Sequence, residues 1–100
     1  MATVTQPVAD KNLLHEIDVA TTQILEAIHR AQGDGAPAGV LKPPHGSKSL
    51  TVDRIVPIAE QRRIKRQFLK VVTDDGQTPS SVAVAADMFL DFFTRQIASD

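Results

Sequence analysis

A chain of 100 residues with 42% hydrophobic side chains and a net charge of −1 is one domain's worth of globular protein. These values argue against wholesale disorder and against blanket affinity for polyanions. There is no Cys, which excludes a disulfide framework and a Cys-built zinc site, and with four Phe, no Trp and no Tyr the core must come mainly from Ile, Leu, Val and Ala. No apolar run approaches the roughly 20 residues that span a bilayer. The N-terminus lacks a basic region followed by an apolar stretch, so the sequence predicts a soluble cytoplasmic protein that makes no membrane contact.

Residues 1–9 show no periodicity and read as a flexible tail. Asp10 can cap an amphipathic helix over 10–32, whose stripe is Leu13, Leu14, Ile17, Ala20, Ile24, Leu25, Ala27, Ile28 and Ala31. Gly33-Asp34-Gly35 supplies the stop, since glycine accepts the left-handed backbone that ends a helix. The span 33–49, GDGAPAGVLKPPHGSKS, is rich in Gly, Pro and Ser and reads as a linker. The first helix is therefore expected to be a separate module, and its Leu13, Ile17, Ile24 and Ile28 could dock in a partner protein's groove. Residues 50–98 are expected to form the main domain.

Leu50 to Val56, LTVDRIV, suits either a short strand or a helix entry capped by Thr51 or Asp53. From Ile58 to about Thr73 the pattern is helical. At about 100° per residue, Ile58, Ile64, Phe68, Leu69, Val71 and Val72 share one broad arc, and Arg62, Arg63, Arg66 and Lys70 share the opposite one. Lys65 stands at the edge, where its stem can cover apolar surface while its amine reaches water. Asp74-Asp75-Gly76 ends this helix. Thr78 caps the next, with Pro79 in its first turn, and the helix runs to about Ala98. Val82, Ala86, Phe89, Leu90, Phe93 and Ile97 make one face of it, which Val84, Ala85, Met88 and Phe92 widen. Only Asp87, Asp91 and Thr94 form a polar strip. An arc this wide exceeds what a surface helix needs. The sequence therefore predicts a mainly α homodimer whose interface is that face; burial as the central helix of a monomer is the alternative.

Catalytic signatures are absent from the pattern. His15, His29 and His45 show no metal-ligand spacing. Ser47, Ser49, Ser80 and Ser81 lie in no nucleophile elbow, and Gly33, Gly35, Gly39 and Gly46 follow a helix rather than a strand, unlike a phosphate-binding loop. No enzyme activity, cofactor or metal is expected. The basic arc remains. Six of the eleven Lys and Arg fall between Arg54 and Lys70, against one acid, Glu60. Like charges packed this densely repel unless an anion neutralises them, and phosphate is the obvious anion.

From Ile64 onward, IKRQFLKVVTDDGQTPSSVAVAADMFLDFF resembles the second half of a ribbon–helix–helix DNA-binding domain. Gly76 and Thr78 match that family's turn and cap, and Ile64, Phe68, Val71 and Val72 match its core positions. Five residues, Pro57 to Gln61, separate the strand candidate from the matching helix. The resemblance implies a ribbon of two strands, one from each chain, in the major groove, with the second helix's N-terminus on a phosphate. The expected function is a small DNA-binding regulator of repressor, antitoxin or plasmid accessory type. Its expected contacts are Arg54, Arg62, Arg63, Arg66, Lys70 and Thr78. The alternative is a non-enzymatic helical adaptor that binds another protein and no nucleic acid.

Overall fold

In a computed structural model, residues 11–74 and 79–98 are described. The tail at 1–9, the Asp10 cap, and Gly76 and Thr78 lie outside those residues. The element order is α1 (Lys11–Ala31), β1 (Gly39–Leu41), β2 (Leu50–Val52), α2 (Ile58–Asp74) and α3 (Val82–Ala98). The architecture is mainly helical, with three helices and one two-stranded antiparallel sheet.

Each helix buries the stripe its spacing predicts. Ile17, Ile24 and Ile28 of α1, Ile64, Phe68 and Val72 of α2, and Ala85, Ala86, Phe89, Leu90 and Phe93 of α3 all enter one core. Leu50, Val52 and Val56 complete it. α3 packs against α1, α2 and β2. Its wide apolar arc is thus covered by the chain itself. Ala86, Phe89, Leu90, Phe93 and Ile97, expected at an interface between two copies, lie in the chain's own core, and Val82 is half-buried. Three ring contacts stitch α2 to α3 and α3 to itself: Phe68 to Phe89 at 5.1 Å, Phe68 to Phe92 at 5.7 Å and Phe89 to Phe93 at 5.9 Å between centroids.

The segment 33–49 holds more than a linker's content. α1 stops when the Gly33 and Gly35 N–H groups donate to the Arg30 and Gln32 carbonyls, with Gly35 at φ 89°. β1 then pairs with β2 in the register Gly39 to Val52, Val40 to Thr51 and Leu41 to Leu50. The residues 50–52 are a strand, but its partner is this local hairpin strand, not the same strand of a second chain. After β1 the chain returns along α3. Ser47 donates both its N–H and its hydroxyl to the Asp87 carboxylate, each at 2.8 Å, and Lys48 Nζ reaches Asp91 at 3.1 Å. The approach is close. A Cβ on Gly46 would stand 3.1 Å from Asp87 Oδ1 and 3.1 Å from Leu90 Cδ1. Because the span that joins them is folded, α1 shares a core with the rest and is not a separate module. Its Ile17, Ile24 and Ile28 are fully buried and offer nothing to a partner's groove.

α3 also begins later than expected. It starts at Val82, and its cap is Ser81, whose Oγ accepts the Val84 N–H at 3.2 Å. Two buried amides lock the entry to α2. Gln32 clamps Val56 in both directions: Gln32 Nε2 donates to the Val56 carbonyl at 2.7 Å, and Gln32 Oε1 accepts the Val56 N–H at 3.1 Å. Gln61 Nε2 donates to the same carbonyl at 2.9 Å.

Candidate functional site

The cationic face sits on α2. Gln61, Ile64, Phe68 and Val72 point inward at helical spacing, which forces Arg62, Arg63, Arg66 and Lys70 outward, and all four are exposed. They do not form one patch. Arg63, Arg66 and Lys70 border an open groove of about 550 Å³, together with Gln67 and Leu69. Arg62 faces the other way, toward a cavity between α1 and α2. Asp74 stands one turn beyond Lys70, yet none of these four cations forms an ion pair among the described residues.

Two other basic residues have structural partners. Arg54 was expected on the same face, but its guanidinium grips the Glu60 carboxylate through two bonds, at 3.2 and 2.6 Å, and Nε donates to the Ile97 carbonyl at 3.3 Å. It ties the approach to α2 to the end of α3 and is a strut rather than a free contact. The Arg54 bond, reinforced by the Arg54 and Arg63 charges, holds the Glu60 carboxyl below its usual range, against the opposing pull of burial. Lys65 bridges helices: its Nζ lies 2.6 Å from Asp18 Oδ1 and 2.7 Å from Thr22 Oγ1 on α1. Asp87 is likewise held below its usual range, first by the Ser47 hydroxyl and then by the Ser47 N–H, with Lys48 adding to the effect.

The spacing left Gln32 and Gln61 unremarked as site residues. Both had a signal: each continues an apolar stripe at four- or three-residue steps (Ile24, Ile28, Gln32; Gln61, Ile64, Phe68), so a polar group was due to be buried there. Among the described residues no three His, Asp or Glu side chains converge on a metal site, and no helix is long and apolar enough to cross a membrane.

A family model described as "Chromatin associated protein KTI12" matches residues 1–94. The chain belongs to the KTI12 family. Curated relatives agree. The "Protein KTI12 homolog" of Mus musculus is 32% identical over 96 residues, which cover 96% of this chain and 27% of the mouse protein. The homologue of Oryza sativa subsp. indica is 31% identical over 105 residues, covering 99% of this chain and 35% of that protein. For Xenopus laevis the values are 28% over 92 residues, 92% and 33%. The chain thus spans between 27% and 35% of the length of these KTI12 relatives. No solved structure matches. KTI12 membership overturns the ribbon–helix–helix resemblance and the small repressor or antitoxin it implied. The physical reason for the false likeness is that an amphipathic helix, a glycine turn and a second apolar helix are what many helical cores require.

Proposed function

We propose that this chain is a chromatin-contacting module of a KTI12-type protein, and that it binds nucleic-acid phosphate through the outer face of α2. The family's description as chromatin-associated motivates the setting. The observation that carries the reading is the groove bordered by Arg63, Arg66 and Lys70, three exposed cations without an ion-pair partner among the described residues. Each cation costs repulsion in the free protein and gains when it displaces condensed counterions from a phosphate backbone. A helix face of this kind positions a polyanion without reading bases. The role is binding rather than catalysis, and it needs no second copy of the chain.

The test is fluorescence anisotropy with duplex DNA and with mononucleosomes across a salt series. Affinity should fall linearly in log–log form, with a slope of about 0.9 per phosphate contacted. Reversing two charges, Arg63→Glu with Arg66→Glu, should flatten that slope by about two contacts and weaken binding at every sequence. Absence of affinity at low salt, or an unchanged slope in the double variant, overturns the reading.

A further inference from the structure

Beside the cationic face lies a cavity that the phosphate contact does not use. It has a volume of about 230 Å³ and opens between α1 and α2. This is below the roughly 300 Å³ where drug-sized ligand sites begin, so it suits one small ring system rather than an extended ligand. Leu25 and Ile58 supply apolar walls; Glu26 and His29 stand on the α1 side and Arg62 on the α2 side.

Gln61, only 1% exposed, lines this cavity, and its Oε1 is buried without a hydrogen-bond partner. The amide cannot simply be turned over. Its Nε2 faces the Val56 carbonyl at 2.9 Å, and a flip would set two oxygens against each other. The Val56 carbonyl is itself held by Gln32. Gln61 therefore presents a fixed acceptor that lacks a donor, and an unmet buried acceptor is costly enough to favour a ligand that supplies one. Water does not reach the oxygen as the structure stands. A donor must displace a wall side chain, and Ile58, 39% exposed at the start of α2, is the one with room to move.

We infer that this cavity is a subsite for one unpaired nucleobase that carries an exocyclic amino group, as cytosine and adenine do, with Arg62 on its adjoining phosphate. The inference rests on the nucleic-acid reading of α2 and adds a base preference to it. A flat ring fits between aliphatic walls, the amino group donates to Gln61 Oε1, and a phosphate one bond-length chain away falls within reach of an exposed arginine. Thymine fits poorly, because its single N–H lies between two carbonyls that would abut the Gln61 oxygen. Arg62 then completes the arrangement in which one helix turns its inner flank to a base and its outer flank to the backbone.

The experiment is anisotropy of the whole chain with single-stranded dodecamers of dC, dA and dT at one fixed salt concentration. The dC and dA strands should bind roughly ten-fold tighter than dT, the ratio expected for one buried hydrogen bond gained. Gln61→Met should erase that preference and leave salt-dependent binding at the dT level. Ile58→Phe, at a half-exposed position that makes none of the Gln61 bonds, should fill the cavity and erase the preference too, so the test stands even if Gln61→Met folds poorly. Equal binding of all three strands by the unaltered chain, or a preference that survives Ile58→Phe, overturns the subsite and leaves the phosphate reading intact. No binding of any strand overturns both.

Discussion

The outer face of α2 and the polar strip of α3 look alike in sequence: short helical runs of exposed charge, cations on one and acids on the other. In the folded chain they differ completely. The α3 acids are used internally, Asp87 by Ser47 and Asp91 by Lys48. The α2 cations Arg63, Arg66 and Lys70 have no such partner among the described residues. A charge run becomes a candidate for binding only after the chain's own claims on it are subtracted. Arg54 makes the same point, because Glu60 and the end of α3 remove it from the basic face.

The largest effect comes from destroying the layer that holds the two faces apart. Phe68 touches both Phe89 and Phe92 across the α2–α3 contact. Phe68→Ala should cost about 3–5 kcal/mol in denaturant unfolding, and both faces should lose their character together. A smaller effect separates the faces. Asp87→Ala should lower the melting temperature and speed amide exchange at Ser47 while leaving polyanion affinity unchanged. Arg66→Gln should do the reverse, with a stability change of about 0.5 kcal/mol or less and a clear loss of affinity. If Asp87→Ala weakened binding as much as Arg66→Gln, the contrast between the two faces would fail.

The smallest effect is on acid sensitivity. Glu60 and Asp87 both have carboxyls held below their ordinary range in the folded chain. Such groups release their protons more readily when folded than when unfolded. Their contribution is therefore present above the unfolded carboxylate range and is lost as pH falls through the depressed folded values. Stability should decline on acidification, and the decline should be shallower in Asp87→Ala than in the unaltered chain. Urea melts at a series of acidic pH values measure it.

The three helices were legible because each carries its own periodic stripe. α1 and α2 lie within a residue or so of where the spacing puts them, and α3 begins three residues late because Ser81, not the first available threonine, caps it. β1 was not legible. It has three residues, Gly39–Leu41, between a glycine and a pair of prolines, too short for alternation to show. The cationic residues were legible individually, but their division between a groove and a cavity was not, since that depends on where α1 lies against α2.

The sequence by itself determined which side of each helix is apolar, because periodicity is a local property of a few turns. It also determined that six of the eleven basic residues crowd one stretch of chain. Tertiary structure decided what covers those apolar sides. The broad arc of α3 reads equally well as an interface or as a core, and only the return of α1 and the hairpin onto it closes the core within one chain. Tertiary structure likewise decided which charges are left over. Ser47 finds Asp87 across forty residues, and Lys65 finds Asp18 and Thr22 across more than forty. Pairings at such separations follow from how elements pack, not from any spacing along the chain.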